Sequence, residues 1–214
     1  MMIDKERKFI FIHIPKTGGT SIESFFMPNR IDRVKSIYGK SPLQSDNKAH
    51  LKFHHLQVQY PNLNFDKYFK FTVVRNPWDR AVSSFFHTKR EDRANLRELL
   101  GVEEFEDFTF KEFIKKLQYL EKEHPHYDEQ WSFLVNEQRK FCMDYIARTE
   151  NLENDFMKIC KKLKITCGKI GNLNPSKNKT KHKHYTEYYD DETREIVAEK
   201  YARDIEYFGY KFGE

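Results

Sequence analysis

Two apolar runs, each ending in a polar turn and reopening with helical periodicity, set the frame of the chain. Residues 9–14, Phe9-Ile10-Phe11-Ile12-His13-Ile14, are apolar at every position but one and rich in β-branched and aromatic side chains. That is the pattern of a strand buried on both faces of a parallel sheet. Pro15 ends the run, and Lys16-Thr17-Gly18-Gly19-Thr20-Ser21 leads into a helix beginning near Ile22. Residues 68–74 repeat the pattern, followed by Arg75-Asn76-Pro77-Trp78-Asp79. There Asn76 is a good N-cap, Pro77 suits the first helical position and Asp79 complements the helix dipole. Two strand–turn–helix units predict an α/β fold, a parallel sheet flanked by helices.

Downstream the period is mostly helical. Phe110, Phe113, Ile114, Leu117 and Leu120 form one face, as do Leu152, Phe156, Ile159 and Leu163, and both stripes read as core packing. Leu96, Leu99 and Leu100 also fall at helical spacing, and Ile196, Val197 and Tyr201 point inward from a helix over 191–204. Residues 49–56 read as a short strand, which would put His54 and His55 on opposite faces. Residues 131–135 and 141–147, separated by Asn136-Glu137-Gln138, suggest two strands or a hairpin. Between 27 and 47 periodicity is lost and turn signals accumulate.

Composition narrows the classes. A chain of 214 residues is long enough for one good core, so a single domain over 1–214 is expected. Its charge is 38 − 33 = +5, which favours anionic ligands without requiring nucleic acid. The 15% aromatic content argues against disorder. Cys142, Cys160 and Cys167 are odd in number and include no C-x-x-C pair, so neither a disulfide framework nor a zinc site is expected. A reducing compartment follows. With no 18-residue apolar span and no signal-peptide h-region, the expectation is a cytoplasmic protein without membrane contact.

The chemistry concentrates at the first turn. Gly18 and Gly19 let the backbone adopt positive φ and approach a ligand closely. A helix N-terminus offers N–H groups to an anion, and Lys16 adds a full charge. Thr20 or Ser21 can cap the helix, and Thr20-x-x-Glu23 has capping-box spacing. In open α/β sheets ligands bind at the carboxyl edge, so Arg75 and the Lys16 turn should face one crevice. Two alternatives are compatible with parts of this pattern. A nucleoside-triphosphate kinase would have Lys after its second Gly and an acidic strand end, whereas here Lys16 precedes both glycines and Arg75 ends the second strand. A nucleic-acid surface could be built from Lys177, Lys179, Lys181 and Lys183 with Tyr185, Tyr188 and Tyr189.

His13-Ile14-Pro15-Lys16-Thr17-Gly18-Gly19-Thr20-Ser21 resembles the 5′-phosphosulfate loop of sulfotransferases that use 3′-phosphoadenosine 5′-phosphosulfate (PAPS), particularly the carbohydrate group that includes heparan sulfate 2-O-sulfotransferase. Arg75-Asn76-Pro77-Trp78-Asp79-Arg80-Ala81-Val82-Ser83-Ser84-Phe85 resembles their 3′-phosphate signature, and Arg148-Thr149-Glu150-Asn151-Leu152 a further family step. The resemblance implies the sulfotransferase fold, related to P-loop kinases, with PAPS as sulfuryl donor and no metal. Donor binding then falls to Pro15, Lys16, Thr17, Gly18, Gly19, Thr20 and Ser21 at one end and to Arg75 and Ser83 at the other. Lys16 would stabilise the leaving phosphate. His55, with His54 in reserve, would be the base toward a hydroxyl acceptor, a carbohydrate in this group. The resemblance also places the 124–131 segment near the acceptor and the basic 174–185 loop over the nucleotide. For Arg80 and Asp79 a solvated helix face or an internal ion pair is expected.

Overall fold

A computed structural model describes residues 1–27, 50–91, 97–98, 100–103, 107–120, 125–168 and 183–214. In chain order its elements are β1 (Met2–Asp4), β2 (Phe9–Ile12), α1 (Gly19–Phe26), α2 (Phe53–Gln59), β3 (Phe69–Val74), α3 (Pro77–Glu91), α4 (Phe110–Leu120), β4 (Tyr145–Arg148), α5 (Leu152–Leu163), α6 (Asp191–Lys200) and α7 (Ala202–Phe208), with short 3-10 turns between. They form two compact units, Met1–Arg75 with Gln130–Pro175, and Asn76–Glu129 with Ser176–Glu214. None of the helices among the described residues is long and apolar enough to cross a membrane.

The first unit holds a four-stranded sheet in the order β1-β2-β3-β4. β2, β3 and β4 run parallel, with Phe11 opposite Phe71 and Phe71 opposite Tyr145. Phe9, Phe11, Phe71, Val73 and Ala147 pack with Ile22 of α1 and Phe156 and Ile159 of α5 in one apolar cluster. Ile10 and Ile12, which alternate with these phenylalanines, are equally buried, so the continuous apolar run does mark a strand covered on both faces. The Thr72 hydroxyl, buried in β3, donates to the Ile12 carbonyl at 2.8 Å. The second unit is helical. Trp78, Val82 and Phe85 of α3 pack with Phe113, Ile114 and Leu117 of α4 and with Val197 of α6.

Several local expectations are corrected. β1 pairs antiparallel with β2, Met2 opposite Phe11; three residues are too few to show a period. The strand expected over 49–56 is instead α2 from Phe53 onward, because Phe53 and Leu56, both buried, are spaced for a helix face. The expected hairpin reduces to one bridge, Val135 with Phe141, while 145–148 joins the sheet as β4 beside β3. The helix over 191–204 is broken at Tyr201 into α6 and α7. Leu96, Leu99, most of the 27–47 stretch and Lys177, Lys179 and Lys181 lie outside the described residues.

A buried charge ties α1 to the end of β2. The Glu23 Oε1 atom lies 2.9 Å from His13 Nδ1 and accepts from the amino terminus of Met1 at 3.1 Å. Burial alone would raise the Glu23 carboxyl, but the charge and hydrogen bond of His13, joined by those of the terminal amine, hold it well below the usual carboxylate range. Glu23 therefore serves no capping box with Thr20. A carboxyl depressed by folding contributes fully above its unfolded value, about 4.3, and loses that contribution as pH falls toward the folded value. Glu23→Gln is expected to be less stable than the native chain in denaturant melts near neutrality. The difference should shrink as pH drops through and below about 4.3; a pH-independent difference would contradict the buried ion pair.

Candidate active site

The turn after β2 is held in an unusual conformation by its neighbours. Lys16 has φ 67°, in the left-handed region, which costs a residue with a Cβ roughly 1–2 kcal/mol. The Thr17 hydroxyl donates to the Ile14 carbonyl at 2.9 Å, closing the turn. The Thr149 hydroxyl donates to the Thr17 carbonyl at 2.7 Å and stands 3.1 Å from the Val74 carbonyl. It thus links the turn to the end of β3.

Gly18, with φ 81°, is the N-cap of α1, and no side chain caps that helix. The caps expected at Thr20 and Ser21 are thereby corrected. Helix formation begins two to three residues earlier, because Gly18 takes the left-handed angle without a Cβ penalty. Thr20 is exposed, and the Ser21 N–H donates to the Gly18 carbonyl at 3.0 Å. At Gly19 any Cβ would collide with the His13 ring, so this glycine is required by close packing. The result is a helix N-terminus without a side-chain cap, flanked by Lys16. Such a terminus accepts an anion.

Arg75 follows the last residue of β3 and is 7% exposed. Its Nη1 donates to the Lys16 carbonyl at 3.1 Å. The two cationic residues picked out by the sequence therefore meet at one sheet edge. Gln130 holds the Arg75 main chain, its Oε1 accepting from the Arg75 N–H at 2.9 Å and its Nε2 donating to the Arg75 carbonyl at 2.8 Å. In the second unit Asn76 is the expected cap of α3, its Oδ1 accepting from the Trp78 N–H at 3.1 Å. Ser83 is half-buried on α3. Arg80 does not lie on the solvated helix face that was one of its two expected settings. It is 1% exposed and donates to the carbonyls of Asp128 at 2.8 Å and His126 at 3.1 Å, so its role is to hold the 126–128 turn.

The histidines divide differently from the sequence reading. His54 and His55 are adjacent on α2, their rings 4.0 Å apart, with His55 exposed. Burial, then His54 and Lys52, lower the His55 imidazolium. His50, not singled out by the sequence, lies 3.1 Å through Nδ1 from the His13 carbonyl, and its ring is 4.7 Å from the His13 ring. A carbonyl only accepts, so His50 carries its proton on Nδ1 and Nε2 is the basic nitrogen. Burial first, and then His13 and the terminal amine, push the His50 imidazolium well below its ordinary value. The one signal in the sequence was a third histidine in the 50–55 stretch, hidden by the strand reading. Lys183 is exposed at the edge of the basic loop.

Against known proteins, a family model described as "Sulfotransferase family" matches residues 1–211. An uncharacterized protein of Archaeoglobus fulgidus is 34% identical over 100 residues, 46% of this chain and 70% of that protein. Among solved structures, mouse sulfotransferase SULT7A1 complexed with PAP superposes with a TM-score of 0.53 at 16% identity, covering 94% of this chain and 85% of that one. The fold is that of the mouse enzyme: a mixed α/β arrangement with a central sheet and helices. With the family pattern running through nearly its whole length, this chain belongs to the sulfotransferase family.

Proposed function

We propose that the protein transfers a sulfuryl group from PAPS to a hydroxyl acceptor of carbohydrate class. The observation that carries this reading is the Arg75 guanidinium on the Lys16 carbonyl, which joins a 5′-phosphosulfate turn and a 3′-phosphate arginine at one edge. The mouse enzyme's complex with PAP supports the choice of donor. The residues fit such a donor, since α1 starts at Gly18 without a side-chain cap and Lys16 flanks that start. Bound PAPS would supply an activated sulfuryl group and a phosphate as leaving group.

In this reading Lys16 and the N–H groups of Gly18 to Thr20 stabilise the charge that grows on the departing phosphate, the Ser21 N–H being spent on the Gly18 carbonyl. Pro15 and Thr17 shape the turn, and Arg75 holds the 3′-phosphate through a charge-assisted fork. The carbohydrate acceptor and a donor-binding role for Ser83 rest on the sequence resemblance. A histidine takes the acceptor's proton. The resemblance nominates His55, but a buried His50 held through Nδ1 on the His13 carbonyl, with Nε2 as its basic nitrogen, favours His50.

Lys16→Ala is expected to lose roughly 2.7–4 kcal/mol of transition-state stabilisation, read as a fall in kcat with labelled-sulfate transfer. His50→Gln should lower kcat by about 10²–10⁴-fold, with a smaller loss for His55→Gln; the reverse order would return the base to His55. Because the His50 imidazolium is depressed, the acid limb of kcat/KM should fall at a pH below about 6.5. PAP should raise the melting temperature without magnesium, whereas stabilisation by ATP and magnesium alone would favour a kinase.

A further inference from the structure

We propose that Gln130 is a positioning residue for recognition of the donor's 3′-phosphate, acting through the main chain of Arg75. The inference rests on the reading of Arg75 as the 3′-phosphate ligand. The β3–β4 ladder ends at Val74 opposite Arg148, so Arg75 lies one residue past the last ladder pair. Its buried N–H and C=O still require partners. Gln130, fully buried and 55 positions away in sequence, meets both, accepting at 2.9 Å and donating at 2.8 Å.

The pairing is that of a strand neighbour, in which one residue exchanges both main-chain bonds with its partner. Here a side-chain amide takes the partner's place. An amide offers an acceptor and a donor side by side on one planar group; a carboxylate supplies acceptors alone, and an aliphatic chain supplies neither. Fixing both main-chain groups of Arg75 fixes the direction in which its side chain leaves the strand, and with it the guanidinium that reaches the Lys16 carbonyl. The segment containing Gln130 was expected near the acceptor. The bonds of its amide tie Gln130 to the residue read as the donor's 3′-phosphate ligand.

The measurement is the affinity of the purified full chain for PAP and for adenosine 5′-monophosphate, which lacks the 3′-phosphate. Gln130→Met removes both bonds with little change in volume. Gln130→Glu is isosteric and retains the acceptor toward the Arg75 N–H, and it carries the test if the methionine variant is unstable. The native chain should prefer PAP. In the variants that preference should fall about tenfold, the effect of one to two lost hydrogen bonds, with the monophosphate affinity little changed. A variant that loses both affinities in proportion, or that retains the native ratio, overturns the positioning role. A native chain with no preference for PAP would instead overturn the assignment of Arg75, and so the proposed function itself.

Discussion

The contact between the Arg75 guanidinium and the Lys16 carbonyl is the constraint on which the candidate site depends. Parallel pairing of β2 with β3 brings the carboxyl ends of the two strands to one edge, but pairing alone would leave two cationic loops free to diverge. The left-handed angle at Lys16 is incompatible with continuing the strand, so the chain turns there and its carbonyl meets the arginine. The guanidinium thus lies against the main chain of the turn that carries Lys16, and a cationic group there favours anionic ligands at that edge.

Neutral groups do much of the holding. The left-handed Lys16 costs roughly 1–2 kcal/mol. Against this stand the neutral bonds from Thr17 to the Ile14 carbonyl and from Thr149 to the Thr17 carbonyl, each contributing about 0.5–1.5 kcal/mol, and the charged one from Arg75 to the Lys16 carbonyl, about 1.5–3 kcal/mol. Together they outweigh the strain, so the turn can be set before any ligand arrives. Preorganisation of this sort matters most in electrostatic catalysis, where donors must already point at the charge that develops.

The sheet, the first turn and α3 were legible in the sequence because each rests on local patterning: a continuous apolar run, a glycine pair, and Asn76-Pro77 at a helix start. What the sequence hid was set by tertiary partners. Glu23 has capping-box spacing from Thr20, yet a buried His13 takes its carboxylate. Arg80 stands on a helix like any surface arginine, yet two carbonyls from the 126–128 turn bury it. Gln130 gave no local sign of its partner 55 residues away. His50 was overlooked because the segment after it was read as a strand, and the helical spacing of Phe53 and Leu56 argues otherwise.

The site must satisfy two demands that pull apart, since it has to attract an anionic donor and also keep a base unprotonated. A positive field does both. At His50, burial and the electrostatic effect of His13 and the terminal amine disfavour the imidazolium, with the Glu23 carboxylate opposing them more weakly. The same sign of potential that Lys16 and Arg75 offer to a phosphate thus also disfavours a protonated base. Glu23 limits how far this goes, because its buried carboxylate balances His13 close to where the His13 carbonyl orients His50. The tautomer of the candidate base is thus set by the His13 carbonyl, and its charge by burial first and His13 second, although His13 itself carries out no chemistry in the proposed reaction.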